Sequence, residues 1–242
     1  MKPPTSRHPA LVRLQDAPEP VLDLVVVPGA GCGPTYFDSW KGLFPATWRV
    51  HAICLPGRGR RYGDEPCRSL SAAADETCAA LASARIQRPV LFGHSLGALL
   101  ALEVAARRKD VDLLLTAACA PPAPERTMRR RGTEEAELRA EIRELVGATG
   151  VDPGDVFDEL VELSLEIMLV DLAMLDGYVP PASPVVRAAV AYYGDADDIP
   201  RGSWAAYATG SVETVGLAGN HDFPQSRPGP LLQHIARQVQ RV

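Results

Sequence analysis

Val90-Leu91-Phe92-Gly93-His94-Ser95-Leu96-Gly97-Ala98 is the stretch that decides how this chain folds. It begins as a short apolar strand, passes through Gly93-His94-Ser95-Leu96-Gly97, and continues from Leu99 to Arg108 with a helical alanine and leucine face. A serine at such a strand-to-helix turn needs small residues two positions to either side, because neighbouring backbone must pass close by. Its hydroxyl then stands exposed at a helix N-terminus, where N–H groups and the helix dipole favour negative charge. This G-x-S-x-G pattern makes Ser95 the candidate nucleophile of an α/β-hydrolase.

Outward from this turn, strand and helix alternate. Leu22 to Val27 reads as a buried strand stopped by Pro28-Gly29. Tyr36 to Leu43 reads as a short helix, Trp48 to Cys54 as a strand, and Ser71 to Ala84 as an alanine-rich helix. Leu113 to Cys119 is a further strand. From Thr133 to Gly177 only helical signals occur, over Glu134–Val146 and Gly154–Leu175. Strand character returns at Val185–Tyr193 and Val212–Ala218, and Leu231–Val239 closes as a helix. The expected fold is α/β: a mostly parallel sheet with helices on both faces and a helical insertion after a mid-sheet strand. Residues 1–20 read as a flexible tail, 21–132 and 178–242 as the core, and 133–177 as a helical lid. In such sheets ligands bind beyond the carboxyl ends of the strands.

Composition narrows the function classes. The 242 residues are 46% hydrophobic and 23% charged, with a net charge of -5, so no global basic field points to nucleic acid or an anionic membrane. Cys32, Cys54, Cys67, Cys78 and Cys119 are odd in number and lack C-x-x-C spacing, which argues against both a disulfide framework and a zinc site. Free thiols suit a cytoplasmic setting. The N-terminal stretch lacks a secretory apolar run, and Leu160–Leu175 is broken by Glu162, Glu166 and Asp171, so it is no membrane span.

A nucleophilic serine needs a base and an orienting acid, in the chain order Ser, Asp or Glu, His. His8 lies near the N-terminus, His51 in a strand, His94 in the turn itself and His234 in the last helix. Only His221 sits in a loop just after a late strand. The acid belongs after the preceding strand, where Asp195, Asp197 and Asp198 are all available and spacing alone does not rank them. Oxyanion donors are expected from the Leu96 N–H and from the glycine-rich loop Pro28-Gly29-Ala30-Gly31-Cys32-Gly33.

Taken together these residues resemble the type II thioesterases of polyketide and nonribosomal peptide assembly lines. The 28–33 loop with Phe37 and Trp40 is similar to their P-x-A-G-G and F-x-x-W segments. Leu55-Pro56-Gly57-Arg58-Gly59-Arg60 is similar to P-G-R-x-x-R, and Gly93 to Ala98 to G-H-S-L/M-G-A. Leu169-Val170-Asp171-Leu172 through Tyr178 resembles the L-R-A-D-F…Y lid helix, and Gly219 to Phe223 resembles G-G-H-F-F. Gly194-Asp195-Ala196-Asp197 fits G-x-x-D, so the resemblance selects Asp197 as the acid. It also implies Ala30 and Leu96 as oxyanion donors. Cys32, Gly29 and Asp222 depart from the family's usual glycine, aromatic and phenylalanine.

The resemblance implies hydrolysis of acyl thioesters on the phosphopantetheine arms of carrier proteins, as editing of assembly lines, with no metal or cofactor. A monomer with carrier-protein partners is expected, with no nucleic acid or membrane. Cys32, Met168, Leu172 and Met174 are candidate acyl-binding residues. Arg126, Arg129, Arg130 and Arg131 form a basic run that could meet an acidic carrier, although a solvated loop is the simpler reading. Rival functions are a general carboxylesterase or lipase, an acyltransferase, and a catalytically silent carrier-binding module.

Overall fold

The computed structural model of the chain describes residues 8–124, 128, 135–148 and 154–241. Seven strands form one sheet: β1 Leu11–Gln15, β2 Leu22–Val27, β3 Trp48–Ile53, β4 Val90–His94, β5 Leu113–Ala117, β6 Ala188–Gly194 and β7 Val212–Leu217. Their spatial order is β1-β3-β2-β4-β5-β6-β7. Every pairing from β3 to β7 is parallel, and only β1 runs antiparallel, on β3. The helices are α1 Leu70–Ser83, α2 Leu96–Arg108, α3 Glu135–Ala148, α4 Asp155–Ala173, α5 Phe223–Ser226 and α6 Pro228–Val239.

The central strands are buried on both faces, as parallel crossovers demand. The strand period of two divides their side chains between two cores. Val25, Val27, Leu91, Leu114 and Tyr193 face one core with α1 and α2 residues such as Leu81 and Leu100. Leu24, Val26, Phe92, Leu115 and Tyr192 face the other, with Trp40 and the α6 residues Leu231 and Ile235. The expected α/β architecture is therefore present. α3 and α4 follow β5 and precede β6, as the helical block predicts, and they share a small core of Leu138, Ile142, Val161 and Leu165. The helix expected over Tyr36–Leu43 is a 3-10 segment, Pro34–Trp40, opened by a proline at its first turn.

One expectation fails at the N-terminus. The reading of residues 1–20 as a tail does not hold for Leu11–Gln15, which pairs with β3 as an edge strand. Antiparallel addition at an edge needs no crossover and satisfies only one side of the strand. Leu11 is buried in the main core, and the Arg60 guanidinium donates to the carbonyls of Pro9 and Leu11. Arg126, Arg129, Arg130 and Arg131 lie outside the described residues.

Candidate active site

β4 ends at His94 and α2 starts at Leu96, so Ser95 is the turn. Its backbone sits at φ 53°, ψ -124°, a region sparsely populated by residues with a side chain. Such a conformation costs on the order of 1–3 kcal/mol and persists only where surroundings enforce it. They do so here by close packing. A Cβ on Gly93 would stand 2.3 Å from the Gly97 carbonyl oxygen, and one on Gly97 2.4 Å from that of Pro28. The Ser95 N–H donates to the Ala117 carbonyl of β5 at 2.8 Å.

The loop after β2 tightens into a turn in which the Cys32 N–H donates to the Gly29 carbonyl at 3.2 Å. Gly31 is its third residue at φ 75°, a position that favours glycine. A Cβ there would also meet Met168 of α4 at 3.1 Å. Gly29 packs directly on the serine turn: its Cβ would lie 2.9 Å from His94 Nδ1 and 3.3 Å from Ser95 Cβ.

His221 follows β7, and the absence of a side chain at Gly194 lets its loop lie on the end of β6. A Cβ on Gly194 would stand 2.3 Å from the Gly219 carbonyl. This contact sorts the three aspartates. Asp195 Oδ1 accepts the Gly219 N–H at 2.9 Å and shapes the loop. Asp197 turns inward, with both carboxylate oxygens 3.3 Å from His221 Nδ1. Asp198 is exposed. The Asp197 side chain is 5% exposed. Burial opposes its ionisation, but the hydrogen bond and charge of His221 and the Ile199 N–H outweigh that and hold its carboxyl below the ordinary range.

His94 joins the turn to the histidine loop. Its Nε2 lies 3.0 Å from the His221 carbonyl, and its ring is 5.1 Å from that of His221. Tyr36 stacks on the other side of His94 at 4.8 Å, and its hydroxyl donates to Asp222 Oδ1 at 3.2 Å. Full burial, then the neighbouring His221 charge, push the His94 imidazole down to about 3, so it is neutral and donates through Nε2–H. Burial, then the Asp222 charge, push the Cys32 thiol up to about 12, and burial does the same for Cys119. Neither is a thiolate nucleophile.

Residues 23–239 match the thioesterase domain family. The chain belongs to the thioesterase family. It is 30% identical over 240 residues to the AMB antimetabolite synthetase AmbE of Pseudomonas aeruginosa, covering 91% of this chain but only 11% of that much longer protein. It is 28% identical over 211 residues to the thioesterase TesA of Mycobacterium marinum, covering 83% of this chain and 84% of TesA. The solved structure of the type II thioesterase BorB from the borrelidin biosynthetic cluster superposes with a TM-score of 0.79 at 27% identity, over 94% of this chain and 96% of BorB. The chain is accordingly an enzyme that acts on thioesters.

In this thioesterase a cavity of about 540 Å³ opens between the loop after β2 and helices α3 and α4. Cys32, Tyr36, Ile142, Val146, Met168 and Asp222 line it. Of the acyl-binding candidates, Cys32 and Met168 are at this cavity. Leu172 packs beside the small α3–α4 core. Met174 is 2% exposed within the main core and is not among the cavity residues. Among the described residues, no group of three or more His, Cys, Asp or Glu converges as a metal site would. No described helix is long and apolar enough to cross a membrane.

The sequence places Arg58 and Asp171 in segments that resemble the family's P-G-R and lid-helix motifs but gives neither residue a role. The Arg58 guanidinium grips the Asp171 carboxylate with two bonds of 2.6 Å, and both side chains are buried. The signal that could have found them is a carboxylate on the apolar side of a helix, which requires a cation.

Proposed function

We propose that this enzyme is a type II thioesterase that releases acyl groups from carrier-protein phosphopantetheine arms, editing a biosynthetic assembly line. Ser95 is the nucleophile, His221 the general base, Asp197 its orienting acid, and the Ala30 and Leu96 N–H groups bind the oxyanion. The observation that carries the reading is the His221–Asp197 pair lying beside a strained serine turn. The resemblance to assembly-line type II enzymes and the likeness to BorB support the substrate class.

The Asp197 carboxylate accepts from His221 Nδ1–H, which puts the basic lone pair on Nε2, the atom that takes the Ser95 proton. Ser95 Oγ bonds to the thioester carbonyl carbon, and the charge moves onto the oxygen. Collapse of this intermediate breaks the C–S bond. A thiol of pKa about 8.5 leaves readily, with the proton from His221. Water, deprotonated by the same histidine, then hydrolyses the acyl-Ser95 ester. Residues 133–177 act as the lid of the acyl site, and the cavity between α4 and the core takes the acyl chain. The enzyme works as a monomer in the cytoplasm.

The test is turnover of a panel of acyl-carrier proteins, from acetyl to long chains, beside acyl-pantetheine thioesters and simple oxygen esters, with Ser95→Ala as control. Acyl-carrier preference that vanishes in Ser95→Ala is expected. Equal or better turnover of oxygen esters would make the protein a general esterase. Transfer of the acyl group to an added amine or alcohol would make it an acyltransferase.

A further inference from the structure

The buried ion pair between Arg58 and Asp171 joins three segments that are far apart in sequence. Asp171 lies near the C-terminal end of α4, Arg58 follows β3, and both act on the loop after β2. Asp171 Oδ2 accepts the Gly31 N–H at 2.8 Å and Arg58 Nη1 at 2.6 Å, while Oδ1 accepts Arg58 Nη2 at 2.6 Å. Arg58 Nη1 also donates to the Cys32 carbonyl at 3.0 Å. The pair therefore holds this loop by an N–H on one residue and a C=O on the next. The side chains are 6% and 3% exposed.

A buried ion pair is a poor source of stability, because desolvation offsets most of its attraction, and apolar replacement is often neutral or better. What this pair does supply is direction. The Gly31 N–H is adjacent to Ala30, at φ 75°, in a glycine turn with little rigidity of its own. Helix α4 presents Met168 and Asp171, one turn apart, to the same Gly31. Withdrawing α4 would remove the acceptor from Gly31 and strand the Arg58 charge.

We infer that Arg58 and Asp171 are positioning residues for the oxyanion loop, and that they tie its geometry to the seating of α4. The inference rests on the assignment of Ala30 as an oxyanion donor. With the pair in place, the 30–31 segment is fixed before substrate arrives. Without it, ground-state binding in the cavity persists, but the donor is misplaced in the transition state. The loss then falls on kcat rather than KM.

Three variants test this. Arg58→Met/Asp171→Leu replaces the pair with apolar groups, leaving no buried charge and no acceptor for Gly31. It is expected to melt near the wild-type temperature, with kcat down by roughly 100-fold, KM changed by less than about threefold, and weakened inhibition by an alkyl boronate that captures Ser95. Arg58→Met/Asp171→Asn restores a neutral acceptor, and most of the lost kcat should return. Asp171→Glu keeps the ion pair but shifts the carboxylate by one methylene. It covers the case in which the apolar pair does not fold, and kcat should again fall at constant KM. Amide exchange at Gly31 should accelerate wherever kcat falls. Wild-type kcat in a folded Arg58→Met/Asp171→Leu or in Asp171→Glu overturns the inference, as does an Asn variant no better than the Leu variant. Failure of the underlying functional reading looks different: turnover by the wild type would survive Ser95→Ala.

Discussion

Replacing His94 with glutamine should flatten the response of stability to acid between pH 7 and pH 5. Glutamine supplies a side-chain N–H for the His221 carbonyl but takes up no proton. The native imidazole is held neutral down to about 3, against 6.5 for an ordinary histidine, by burial and then by the neighbouring His221 charge. Above pH 6.5 neither the folded nor the unfolded chain protonates this ring. Below 6.5 the unfolded chain binds a proton that the folded chain refuses until about pH 3, so stability is full at high pH and is lost as pH falls. Integrating that difference from pH 7 to pH 5 gives about 2 kcal/mol. Asp23, Asp110 and Asp197 are also held below the usual carboxylate value, but their windows open only below 3.8 and contribute little at pH 5. Urea unfolding of both proteins at the two pH values, extrapolated to water, measures the quantity. Wild type should lose about 2 kcal/mol more than His94→Gln on acidification. Equal losses, or a folded-state titration of the His94 ring near pH 6.5 by nitrogen-15 NMR, would refute the reasoning.

Under the proposed assignment, Asp197→Asn should lower kcat by roughly 10⁴, while Asp195→Asn stays within about tenfold, because Asp195 holds only the Gly219 N–H. Steady-state kinetics on one acyl-pantetheine substrate compares the two, and equal losses would undo the sorting of these aspartates. Gly97→Ala should destabilise the fold by on the order of 3 kcal/mol or more, since its Cβ would lie 2.4 Å from backbone oxygen of Val27 and Pro28. A wild-type urea midpoint for that variant would contradict the packing described at the turn. Met174→Ala should cost about 2–5 kcal/mol with acyl preference unchanged. Met168→Ala should shift the ranking of acyl-chain lengths at a smaller stability cost. An altered ranking in Met174→Ala, or none in Met168→Ala, would reverse the placement of these two methionines.

The features legible from sequence are those written in consecutive residues. The β-branched run of β2, the glycines around Ser95 and the all-helical block before β6 each carry their own local signal. His221 could be reached because every other histidine sits in a strand, a helix, the turn or the N-terminal stretch. β1 was hidden because its five residues lie between Pro9 and Pro18, and its pairing partner is 35 or more residues away. Asp195 and Asp197 could not be separated on spacing, since one loop carries both. Their roles diverge only because Gly194 admits the backbone of Gly219, which lies 25 positions further along the chain.

Asp171 shows what a physical question adds to a pattern. In the sequence it is one of three acids interrupting an apolar helix, alongside Glu162 and Glu166. These three are not equivalent. Glu162 and Glu166 are four apart and share one exposed face, while Asp171 lies about 140° round the helix from Glu166, at about 100° per residue. That places it in line with Ser164 and Met168, on the side that lines the cavity. A carboxylate on the covered side of a helix has no water to solvate it, so it demands a cation and N–H donors from elsewhere in the chain. The P-G-R segment offered such a cation, Arg58, at the carboxyl end of a strand in the same sheet, and the glycine loop offered the N–H. Arg58 and the Gly31 N–H meet that need, and the solvation of one carboxylate is thereby what ties α4 to the glycine loop after β2.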